Sequence, residues 1–145
     1  EDIGLADPHA LSLVLAAWQS YERLGSPEGD LALTQAAIYL ALAPKSVAVY
    51  AAHKEVRKTI EERPADPVPP VIRNAPTSLM KNLGYGKGYV YAPDTEEGVG
   101  GLECLPESLQ GTRFYRPKGD GREAGFKARL EEIEALRKRI REGGA

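Results

Sequence analysis

The residues best suited to chemistry in this chain lie between Val71 and Ala92. That stretch carries Arg73, Lys81 and Lys87 and no acid, with Tyr85, Tyr89 and Tyr91 among them. Cations neutralise phosphate and aromatic rings stack on bases. Arg73, Lys81, Tyr85, Lys87 and Tyr89 are therefore a candidate contact set for single-stranded nucleic acid. The competing reading, which is favoured, makes the tyrosines packing residues beside glycine turns, because three cations are a weak patch. Gly84-Tyr-Gly86-Lys87-Gly88 has the glycines and the lysine of a phosphate loop. No Ser or Thr follows the lysine, however, and Gly-x4-Gly-Lys-Ser/Thr occurs nowhere in the chain. The dinucleotide-binding glycine fingerprint fails on the same context.

Other reactive side chains are dispersed. His9 and His53 have no ligand-spaced neighbours, so no metal site is expected. Cys104 is flanked by Glu103 and Leu105, with no adjacent cation to lower its pKa, and is expected to be a buried, inert thiol. Glu61-Glu62, Glu96-Glu97 and Glu131-Glu132 are adjacent acids, which do not converge on one bond. No catalytic residue is assigned.

The elements that must position these residues are mostly helical. Asp7 reads as an N-cap with Pro8 at the first helical position. Leu11, Val14, Leu15, Trp18 and Tyr21 then recur at helical spacing until Gly25. A second helix, from Glu28 or Asp30 to Leu42, is apolar nearly all round, as expected of a helix buried on most sides. Pro44 can open a third helix, reaching about Glu62. Five prolines between 64 and 76 suggest a flexible linker or an ordered strap with Val68, Val71 and Ile72 buried, the strap being favoured. A short helix over 76–83 leads to Gly84. Tyr89-Val90-Tyr91 and Arg113-Phe114-Tyr115 read as a small β-hairpin near 88–92 and 112–116. A helical turn is expected at 106–109. The last helix, from 122 or 123 to 142, carries a narrow seam, Phe126, Leu130, Ile133 and Ile140, like a short coiled coil. Lys127, Arg129, Arg137, Lys138, Arg139 and Arg141, mixed with Glu131, Glu132, Glu134 and Glu142, read as a solvated face, or as a helix that meets a partner or grazes DNA.

The expected organisation is one mainly α-helical domain over 1–145. It divides into a helical bundle (1–63), a Pro/Gly-rich strap, short helix and hairpin (64–121), and a C-terminal helix (122–143). The 145 residues, 42% hydrophobic and 28% charged, suit a soluble globular chain. A net charge of −2 gives no global footprint for DNA or anionic membrane. One cysteine excludes an intrachain disulfide, and no apolar run approaches a membrane span. A chain opening on Glu1 and reaching a helix start at Asp7-Pro8 reads as a fragment of something longer. Covering the apolar second helix requires either the 64–117 segment or another copy of the chain.

Several motifs carry a family resemblance. Leu40-Ala-Leu-Ala-Pro-Lys-Ser46, Arg73-Asn-Ala-Pro-Thr77 through Leu79-Met80-Lys81, and Gly84-Tyr-Gly-Lys-Gly-Tyr89 are three of them. Leu105-Pro106 with Phe114-Tyr115 and Pro117 is a fourth, and Ile3-Gly-Leu-Ala-Asp-Pro8 a fifth. Over about residues 1–120 the chain resembles the C-terminal region of the bacterial replication-associated recombination ATPases, relatives of the Werner-helicase-interacting proteins. Pro93, Cys104 and Val47 depart from the pattern, where histidine, tyrosine and asparagine are common.

The resemblance implies a clamp-loader-like AAA+ parent acting in replication restart, recombination and repair. ATP and Mg²⁺ would be held upstream of Glu1, and this chain would be a helical oligomerisation collar, itself without catalytic activity or cofactor. The expected partners are further copies of itself, in a homotetramer, then DNA, single-strand-binding protein or other replication proteins, in the bacterial cytoplasm at the nucleoid. Leu33, Ile38, Leu42, Val49 and Tyr50 are the expected packing residues, within the collar or across subunits. Leu42→Asp is expected to damage folding or assembly by burying a charge.

Overall fold

The computed structural model describes residues 1–143. Five α-helices run along them: α1 (His9–Leu24), α2 (Glu28–Leu42), α3 (Ala48–Glu62), α4 (Ser78–Asn82) and α5 (Glu123–Gly143). Single 3₁₀ turns lie at Gly4–Ala6, Pro70–Ile72, Ala92–Asp94 and Glu107–Leu109. The fold is mainly α, and no strand occurs among the described residues.

Packing divides the described residues into two compact units, residues 1–58 with 114–128 and residues 59–113 with 129–143. In the first, α1 packs along α2. Gly25, at φ +67°, ends α1, and its carbonyl accepts from Gly29 N at 2.6 Å. Gly29 allows the close approach: a Cβ there would lie 2.7 Å from Tyr21 Cα. Asp7 stays outside α1, accepting from His9 N at 3.1 Å, and its other oxygen accepts from the Tyr39 hydroxyl. The helix thus begins one residue later than its N-cap pattern predicts, within the usual boundary shift.

The buried apolar residues Ala6, Ala10, Ala17, Ala36 and Ala48 are all small. They let backbones come close but remove little apolar area from water. The larger apolar side chains are half-buried, as Leu13, Val14, Leu33 and Leu40 are, or exposed, and this corrects the expectation for the second helix. α2 is not buried on most sides: Leu31, Ile38 and Leu42 are exposed, Leu42 by 82%.

Pro44 does not open α3. It lies in the irregular segment before Ala48, against which a Cβ on Gly121 would collide. Ser46 instead shapes the entry, its Oγ accepting from Ala48 N at 3.3 Å.

In the second unit, residues 64–69 run without regular structure, and Val68 is exposed rather than buried, while Val71 and Ile72 are half-buried. Thr77 caps α4, its Oγ1 accepting from Met80 N at 3.3 Å. The expected β-hairpin is absent for a local reason. Gly84, Gly86 and Gly88 all take positive φ, at 82°, 69° and 80°, so the chain coils through tight turns. Amides after the glycines are used locally: Lys87 N bonds to Gly84 O at 3.2 Å and Tyr89 N to Gly86 O at 3.1 Å. The α5 seam is covered by its own chain at Ile140, while Phe126 stays exposed. A Cβ on Gly101 would lie 2.7 Å from Ile140 Cγ2, and Arg137 donates to the Leu102 carbonyl.

Candidate functional site

The first unit is organised around a carboxylate. Glu123, at the start of α5, is wholly buried, with 0% exposure. It accepts from Ser46 Oγ at 2.7 Å, Tyr115 Oη at 3.0 Å, Lys118 N at 3.0 Å and Gly119 N at 3.3 Å. Burial pushes this carboxyl up, but the four donors outweigh it and hold it below its ordinary value. Burial, and then the bond to Glu123, pushes the Tyr115 hydroxyl up to about 12. Backbone contacts extend the network: Ser46 N donates to Asp2 O at 2.8 Å, and Arg122 N to Ala6 O at 2.8 Å. The segment 2–6, the 44–46 loop and the start of α5 are thereby tied together. These groups bond to one another, with no open cleft at the carboxylate, so the arrangement is structural.

On the same unit lies an apolar surface. Leu11, Leu15 and Trp18 follow one face of α1, and Leu31, Ile38 and Leu42 one face of α2. All six are more than half exposed. Of the expected packing residues, Ile38, Leu42, Val49 and Tyr50 are exposed and Leu33 is half-buried. The α1 residues were legible only as helix periodicity, because nothing in their spacing separates an inward face from an outward one.

The basic–aromatic segment belongs to the second unit, and the structure splits its members. Arg73 and Tyr85 engage each other. The guanidinium lies 4.9 Å from the ring centroid and donates to Tyr85 Oη at 3.0 Å, while its Nε donates to the Val68 carbonyl at 2.5 Å. That pair staples the 68–73 segment to the glycine turn. Lys81, Lys87 and Tyr89 stay exposed. The glycine turn does not fit ATP, since Lys87 N and Tyr89 N already bond within it and no long helix follows to aim amides at phosphate. Cys104 is exposed, not buried, because its neighbours Glu103 and Leu105 are the half-buried ones. Among the described residues, no group of three His, Cys, Asp or Glu is placed to hold a metal. No described helix is long and apolar enough to cross a membrane.

Comparison with known proteins gives the family. The model described as "MgsA AAA+ ATPase C terminal" matches residues 1–134. This chain belongs to that family. It is 51% identical over 132 residues to Replication-associated recombination protein A of Coxiella burnetii, covering 90% of this chain and 30% of that protein. The protein of the same name from Escherichia coli K12 is 44% identical over 131 residues, covering 90% and 29%. ATPase WRNIP1 of Dictyostelium discoideum is 42% identical over 120 residues, covering 81% and 14%. The chain thus spans less than a third of the length of these relatives.

Proposed function

We propose that this chain is the assembly module of an AAA+ ATPase that acts on DNA in replication-associated recombination and repair. It joins subunits into a homotetramer and positions the ATPase part, which holds ATP and Mg²⁺ outside this chain, in the bacterial cytoplasm at the nucleoid. The carrying observation is the inversion of the first unit: its buried apolar residues are alanines, while Leu11, Leu15, Trp18, Leu31, Ile38 and Leu42 face outward. Large apolar side chains gathered in the open on a helix face mark an interface. Ile38, Leu42, Val49 and Tyr50 then act across subunits, and half-buried Leu33 supports them from within.

Light scattering behind size exclusion, over a tenfold concentration range, tests this. A mass near four times 15.7 kDa is the expected result. A monomer at every concentration overturns it.

A second reading is favoured by the exposure of Tyr89 and Tyr91 beside Lys87 in a stretch without acids. In it, Lys81, Lys87 and Tyr89 contact single-stranded or forked DNA, with Arg73 and Tyr85 shaping the turn beneath. Binding of an oligonucleotide at low salt, weakened in Lys87→Ala, is expected. Single-strand-binding protein and other replication proteins are further proposed partners, with no residue assigned to them.

A further inference from the structure

A second charged feature lies in the same unit as the tyrosine turn and is built from other residues. Glu103, Cys104 and Leu105, the turn Gly111–Arg113, and one face of α5 enclose an open groove of about 460 Å³. Four cations line it, Arg113, Arg137, Lys138 and Arg141, against two carboxylates, Glu103 and Glu134. Arg113 pairs with Glu134 at 2.6 Å, and Arg141 lies 3.9 Å from Glu103. Lys138 reaches Glu142 outside the groove at 3.8 Å. Arg137 donates to the Leu102 carbonyl, and its Nε is buried with no acceptor. The groove is therefore rich in donors and short of acceptors, in a chain whose net charge is −2.

We propose that this groove binds the phosphodiester backbone of a nucleic-acid strand. Guanidinium forks and an ammonium are the groups that bind phosphate oxygens. The two carboxylates are partly exposed, so an incoming phosphate can displace them toward solvent. An acidic peptide fits less well, because specific peptide recognition also uses apolar anchors and Leu105 is the one large apolar side chain lining the groove. The inference goes beyond the assembly reading and does not depend on Lys87 or Tyr89.

The chain's one cysteine is exposed in the groove wall and reports occupancy. The experiment measures Cys104 alkylation by iodoacetamide at fixed protein concentration and low salt, with a dT30 oligonucleotide as probe. Saturating dT30 is expected to slow alkylation at least about tenfold. Lys138→Gln with Arg141→Gln is expected to abolish protection and to lower the log–log salt slope of binding by about 0.7 per lost contact. Glu134→Gln, which frees Arg113, is expected to tighten binding, a result that a merely structural groove would not give.

Absence of protection by dT30 overturns the proposal, as does equal protection by polyglutamate or by inorganic phosphate at the same anion concentration. Light scattering and circular dichroism on the same samples separate a lost site from lost assembly or folding. The assembly reading fails on mass and this one on alkylation.

Discussion

Glu123 is a buried anion held by neutral donors alone. In Glu123→Gln one acceptor oxygen is replaced by an NH2 donor, which faces either the Tyr115 hydroxyl in place of Oε1, or Ser46 Oγ and the Lys118 and Gly119 N–H groups in place of Oε2. A loss of about 2–3 kcal/mol is expected in urea unfolding, since hydrogen bonds to a charged group contribute about 1.5–3 kcal/mol each and orphaned buried donors add a penalty. The pH dependence has a definite sign. The folded carboxyl titrates below its unfolded value of about 4.3, so the unfolded chain binds more protons in that window. Its contribution is complete above that value and is lost as pH falls through the folded pKa. Urea midpoints measured from pH 6 to pH 3 should fall in the parent chain and fall less steeply in Glu123→Gln, where Asp7 and Glu55 still titrate below their ordinary values. Little of this network was legible in advance. Ser46 stood in a recognisable motif and Glu123 near a helix start, but 77 residues separate them and no pattern announces the bond.

The elements themselves were far more legible, because helix periodicity, proline and glycine act locally. The limits of α2, the end of α1 at Gly25, the turn near 107–109 and the extent of α5 follow from such signals. The hairpin failed where alternation of Tyr89, Val90 and Tyr91 competed with three glycines just before them. The glycines won by turning the donors inward. Which glycines are indispensable depends on close approaches that only packing shows. Gly121, at φ +53°, lies where a Cβ would strike the Ala6 carbonyl and the Pro44 ring. Gly98, at φ +64°, meets nothing within 4 Å. Gly121→Ala is therefore expected to cost about 1 kcal/mol or more beyond Gly98→Ala, where only the left-handed backbone is penalised. Thermal melts of the two variants compare them directly.

At the scale of the whole molecule, the exposed apolar surface turns the ambiguity of Leu42 into a sharper expectation. A residue 82% exposed in the isolated chain buries no charge on folding when it becomes Asp. Leu42→Asp should therefore leave the secondary structure and melting of a dilute sample within about 0.5 kcal/mol, the usual range for a surface change. Its cost should fall on assembly, where an unpaired charge enters a desolvated contact. Trp18, the chain's one tryptophan, gives a readout of the same event. It is 57% exposed on α1, so a subunit contact over that face should shift its emission to the blue as concentration rises. Leu42→Asp on α2 and Leu15→Asp on α1 then separate the two faces. If one continuous contact uses both, either variant keeps the emission red and the mass at 15.7 kDa. If each helix serves a different contact, Leu15→Asp alone holds the emission red, while Leu42→Asp stops assembly at an intermediate mass with the blue shift retained. A parent chain whose Trp18 emission does not move while its mass rises would exclude α1 from the interface and leave assembly to α2 with Val49 and Tyr50.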